Sequence, residues 1–135
     1  MRTKQVRPPK LDYEFEIILS KEIDKITNQE YILFVIRTVK VFENFHYKVD
    51  VSEKIDMDKK KISFRIEGLS APSLSLSRSG PATYEYKLYN FKQTEYELNI
   101  TKERLGTNTF KFRVGKKNIN LSTEPRKKFI KLIIK

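Results

Sequence analysis

The chain has no cysteine, no tryptophan, one histidine and only four glycines in 135 residues. The missing cysteine excludes disulfides, thiolate metal sites and cysteine nucleophiles together. One histidine cannot build a His-based metal site. His46 reads as a surface residue on the polar side of an alternating strand, with no local nucleophile or orienting acid around it. Scarce glycine removes collagen-like and Gly-rich low-complexity readings. Neither GxxxxGK[ST] nor GxGxxG occurs, so a nucleotide phosphate cradle is absent. No apolar run approaches the roughly 20 residues that span a bilayer, so no transmembrane segment is expected. The start, MRTKQVRPPK, is positive like a signal peptide. Its continuation, LDYEFEIILSKE, is broken by acids and lacks a cleavage site. A cytoplasmic location is the expectation, although an exported domain with its signal removed would read the same.

What is present is enough for one core. Hydrophobic residues make up 39% and aromatics 12%, as 9 Phe and 7 Tyr. The length fits one domain, with residues 1–10 as a basic arm ending at Pro8-Pro9 and residues 11–135 as the domain. Net charge is +11 and is uneven. Residues 1–10 hold 4 basic residues and no acid, and residues 101–135 hold 11 basic and 2 acidic. Residues 11–60 are slightly acidic. If the chain ends converge, they form a basic pole that attracts nucleic acid, anionic lipid or an acidic protein.

The dominant period is two. Leu11, Tyr13, Phe15, Ile17 and Leu19 alternate with Asp12, Glu14 and Glu16, which predicts a half-buried strand. SKEIDKITNQE reads as a loop. EYILFVIRTVKVF, residues 30–42, predicts a central strand with a bend or bulge near Arg37–Thr38. Residues 44–51 and 61–68 alternate again, around a polar turn over EKIDMDKK. Residues 68–82 form the longest loop candidate, with Leu74 and Leu76 as a short edge strand. Further strands are expected in TYEYKLYNF, EYELNIT and TFKFRVG, with a turn at Leu105–Asn108 and a short strand from Ile119. The tail EPRKKFIKLIIK fits either a basic amphipathic helix or a strand with Ile130, Leu132 and Ile134 inward. Its length, its isoleucines and the β pattern elsewhere favour a closing strand.

Candidate chemistry is sparse. Asp50, Glu53, Asp56 and Asp58 read as a solvated turn, since the calcium-loop pattern is incomplete. Glu14, Glu16, Glu85, Glu95 and Glu97 look like solvent faces of strands rather than paired catalytic carboxylates. Phe110 and Phe112 interleave with Lys111 and Arg113 but lack the glycines of an RNA-reading strand. Tyr89 and Phe91 fall opposite Tyr84 and Tyr86, which makes them a candidate exposed aromatic patch. SGPATYEYKLYNFKQTEYELNIT resembles the E–F half of an immunoglobulin-like domain. Tyr96 stands two residues before inward Leu98, as in a tyrosine corner. That likeness is to a superfold and implies no activity.

The expectation is therefore an all-β domain: a two-sheet antiparallel sandwich of immunoglobulin-like type with about eight strands. Its function would be non-enzymatic and cofactor-free. A protein partner would bind a sheet face or edge, with the chain as a component of a larger assembly. The alternative is a nucleic-acid- or ribosome-associated protein. Candidate partner- or anion-binding residues are Arg2, Lys4, Arg7, Lys116, Lys117, Arg126, Lys127, Lys128 and Lys131.

Overall fold

A computed structural model describes residues 15–42, 48–70 and 80–135. The proposed arm, including Arg2, Lys4 and Arg7, lies outside the described residues, as do His46, Leu74 and Leu76. The strands are β1 (Phe15–Ile23), β2 (Glu30–Phe42), β3 (Lys48–Asp56), β4 (Lys61–Ser70), β5 (Gly80–Tyr89), β6 (Glu95–Lys102), β7 (Gly106–Val114), β8 (Ile119–Thr123) and β9 (Ile130–Ile134). Period-two patterning thus produced strands throughout, including the tail. Ile130 is buried, Leu132 and Ile134 pack on the core, and Lys131 is exposed.

The expected two-sheet sandwich is corrected. The nine strands form one nearly closed, barrel-like sheet in the order β8-β7-β6-β4-β3-β5-β2-β1-β9. Three of its pairings are parallel: β1–β9, β3–β5 and β4–β6. The immunoglobulin superfold uses antiparallel sheets, so these depart from it. Alternation reports which face a residue occupies, not which strand lies beside it. The single register pair Lys48↔Thr83 joins what would otherwise be two sheets. One local feature of the likeness is present. The Tyr96 hydroxyl accepts a hydrogen bond from the Lys92 backbone N–H at 2.7 Å, the bond of a tyrosine corner.

Strand pairings set the polarity. Odd-numbered strands run one way, here called upward, and even-numbered strands run down. Inward residues fill the interior rather than leaving a pore. Phe34 of β2 reaches Phe64 of β4 at 5.5 Å and Phe112 of β7 at 6.1 Å. Neither strand neighbours β2 in the sheet, so these contacts cross the interior. Lys102 covers Phe15 at the lower end, and Lys21 covers Phe91 at the upper end, at 5.6 and 5.5 Å from the ring centres.

Local chemistry explains the boundaries. β1 continues past Leu19 to Ile23, beyond its expected end, because Ser20–Ile23 pair with Glu30–Leu33. Asp24 then caps the turn by accepting from the N–H groups of Ile26 and Thr27. The Ile26 N–H above all, with Thr27 N–H, Tyr89 and Lys87, holds its carboxyl below the usual range against the opposing pull of desolvation. β3 runs through Glu53–Asp56, so the expected polar turn shrinks to Met57–Lys60, with the Asp56 carboxylate accepting from Lys59 N–H. The expected irregularity in β2 is a register shift between Arg37 and Val41. There the buried Thr38 hydroxyl accepts from Ala82 N–H and donates to Lys40 C=O.

Candidate functional site

The sheet fails to zip shut at one place. β8 is hydrogen-bonded to β7 and β9 to β1, and no ladder joins β8 to β9, although the two come into contact. This seam is pinned at both ends by side chains. At the lower end the buried Asn108 of β7 donates from Nδ2 to Lys127 C=O and accepts from Phe129 N–H at Oδ1, each at 2.9 Å. At the upper end Lys21 Nζ donates to the carbonyls of Gly115 and Lys116 at 3.3 and 2.7 Å. Between the pins no described strand pairs with either edge.

Exposure confirms the opening. Beyond Ile119 every residue of β8 is exposed, and Leu121 keeps 38% of its surface although it pairs with fully buried Phe112. Leu132 and Ile134 face the core yet are only half-buried. Backbone direction adds to this. The Lys135 N–H donates to Leu19 C=O at 2.9 Å. In a parallel ladder alternate residues turn both backbone groups to the neighbour. Ile133 therefore also faces β1, and the N–H and C=O of Leu132 and Ile134 face the seam.

The sequence-derived basic candidates divide around this seam. Lys116 and Lys117 lie in the upper connection between β7 and β8. Arg126, Lys127 and Lys128 lie in the lower connection between β8 and β9, and exposed Lys131 is on β9. Five-residue β8 separates the two groups by about 17 Å at strand rise. The lower group sits beside Phe15, which pairs with Ile130. Lys128 is bonded to Glu124 at 2.9 Å.

The candidate aromatic pair also divides. Tyr89 points outward, meets Tyr31 in a tilted contact with ring centres 5.2 Å apart, and donates to the Asp24 carboxylate. Phe91, just past β5, packs on the core beneath Lys21. Tyr84 and Tyr86 face inward where β3 diverges from β5, both beside Phe64. Tyr84 donates to the Glu53 carboxylate. Burial, then Glu53, pushes the phenol of Tyr84 well above its usual range, and Tyr86 is raised by the same causes.

A phenol raised in the folded state stabilises the fold while it stays protonated. That contribution is complete below the unfolded tyrosine value near ~10 and is lost as pH rises towards the folded one. Urea melts of the wild type should therefore hold steady to about pH 9 and weaken above about pH 10. Tyr84→Phe should flatten that alkaline loss. An unchanged slope in the variant would remove Tyr84 as its source.

Two residues of the site were not found from sequence. Asn108 was expected in a turn, but it opens the inward series Asn108, Phe110, Phe112, Val114. That period was the available signal. Lys21 was expected in a loop and ends up as the upper pin. Asp50, Glu53, Asp56 and Asp58 are spread along β3 and its turn. Among the described residues no group of three His, Cys, Asp or Glu could hold a metal, and no helix is long and apolar enough to cross a membrane. No protein-family model, curated protein or solved structure matches the chain.

Proposed function

We propose that this protein is a non-enzymatic interaction module that binds a partner protein by adding an extended segment of that partner to the β9 edge. The observation that carries this is the open side of β9. Among the described residues nothing pairs with the seam-facing backbone groups of Leu132 and Ile134, which lie beside apolar side chains that are only half-buried. Strand addition uses both features: backbone bonds supply affinity, and alternate side-chain positions supply selectivity. Outward Lys131 on β9 and Lys135 just past it also fit this role, because charge on an edge discourages indiscriminate pairing between sheets. Phosphate binding by the basic ends is the alternative. It draws on Arg126, Lys127 and Lys131 beside Phe15, but Lys116 and Lys117 stand at the other end of β8.

Amide hydrogen exchange tests the edge directly. In the free protein the amides of Leu132 and Ile134 should exchange fast, while those of Ile133 and Lys135, held by β1, exchange slowly. Adding a peptide of about ten residues that alternates serine with valine should slow Leu132 and Ile134 alone. Equal protection of all four amides in the free protein would mean the edge is already occupied, and the reading would fall.

A further inference from the structure

We infer that the segment received at the seam is acidic as well as extended, with acids alternating with apolar residues. The inference rests on the edge reading above and adds the chemistry of the partner. From Gly106 to Lys135, the stretch that builds β7, β8 and β9, the chain holds nine lysines and arginines against one acid, Glu124. Glu124 is itself taken by Lys128 at 2.9 Å. The remaining cations stand on every side of the opening. Lys116 and Lys117 are above it, Arg126 and Lys127 below, Lys131 on β9 and Lys135 just past its end. On β7, Lys111 and Arg113 project from the outer face because Phe110 and Phe112 occupy the inner one.

Register turns this distribution into a pattern. A strand laid on β9 would point every second side chain inward, level with Leu132 and Ile134 and towards Leu121. The intervening side chains would point outward, level with Lys131, Ile133 and Lys135. Apolar residues suit the first set, and carboxylates suit the outward positions level with the two lysines. The same charges argue against two other occupants. A second copy paired antiparallel through its own β9 about Ile133 would set Lys131 opposite the other copy's Lys135, and like charges opposite one another destabilise a strand pair. The chain's own first ten residues carry four basic residues and no acid. Nucleic acid would meet the charge but offers no backbone ladder to Leu132 and Ile134.

The test uses labelled ten-residue peptides on the full chain: glutamate alternating with valine, serine with valine, lysine with valine, and glutamate with proline. Ten-nucleotide oligo-dT is the fifth probe. The Glu-Val peptide should bind about tenfold tighter than Ser-Val at low salt, since several exposed ion pairs each add a little. That advantage should fade near 1 M salt, where the screening length is about 3 Å. Leu132→Pro should cost the Glu-Val peptide about tenfold, because proline removes a seam-facing N–H without breaking the ladder to β1. Leu132→Ala loses the same packing but keeps the N–H, and should stay within about threefold of wild type.

Tight Glu-Pro or oligo-dT binding, or Glu-Val binding indifferent to Leu132→Pro, would show charge without strand addition and overturn the inference. Equal binding of Glu-Val and Ser-Val, both lost in Leu132→Pro, would overturn the acidic partner and leave the edge reading standing. Binding of neither peptide would overturn both.

Discussion

Replacing Phe34 with alanine is expected to remove about 3–5 kcal/mol of stability, the usual cost of deleting a buried aromatic ring. The ring has no exposed surface and lies centrally among Phe64, Phe112 and Tyr86, the last at 6.4 Å. These neighbours belong to β4, β7 and β5, so one side chain joins strands from opposite walls. On one side those walls share only the pair Lys48↔Thr83, and on the other they meet at the unladdered seam. Core contact therefore does work that ladders do in a fully closed barrel. Domains of this size are stable by about 5–15 kcal/mol, so the loss is a large share of the total. Urea unfolding should show it as a lower midpoint. A lower slope as well would mean that the walls separate before global unfolding. Phe34→Leu, which keeps most of the volume, should cost far less. A cost for alanine below about 1 kcal/mol would show that the walls are not held together through this ring.

The same ring shows what was legible in the sequence. EYILFVIRTVKVF announces a strand, but Leu33 and Val35 are as apolar as Phe34, so the run does not say which face the ring takes; the structure places it inward. Which residues it meets could not be read. Phe64 and Phe112 lie 30 and 78 positions downstream, and period two carries no information on strand order. Parallel pairs are the clearest case. Ile130, Leu132 and Ile134 were correctly read as inward, but their position beside Phe15, Ile17 and Leu19 depends on a connection across the barrel that no local signal encodes. The seam was hidden for a related reason. An open edge is a property of what is absent beside a strand, and Leu132 has the same local pattern whether or not a ninth ladder forms. Charge was legible in amount but not in place. Lys116 to Lys131 looks like one basic run in sequence, and β8 divides it between two ends of the barrel.

Asn108→Ala is the second change with a large expected effect, about 2–4 kcal/mol, since both bonds are to backbone at a site only 5% exposed. Alanine would leave Lys127 C=O and Phe129 N–H without partners, and each stranded buried group costs about 1–3 kcal/mol. The amide orientation follows from the chemistry, because a flipped side chain would set its NH₂ against Phe129 N–H and its oxygen against Lys127 C=O. Asn108→Asp makes the sharper experiment. A carboxylate still accepts from Phe129 N–H but repels the Lys127 carbonyl, whereas the protonated acid can serve both. Burial and that carbonyl both raise the carboxyl's folded value above its unfolded value of about 3.9. The sign then follows: the protonated acid supports the fold at low pH, and the support is lost as pH rises through the folded value. Asn108→Asp should thus recover towards wild type on acidification, relative to a wild-type curve over the same range, while Asn108→Ala should not. If it does, the lower pin acts through a donated hydrogen bond to Lys127 C=O. No described strand pairs with the seam-facing amides of Leu132 and Ile134 in the wild type, so losing the pin should instead speed exchange at Ile133 and Lys135. Faster exchange there in Asn108→Ala would show that Asn108 holds β9 against β1, and unchanged exchange would confine its role to the connection between β8 and β9.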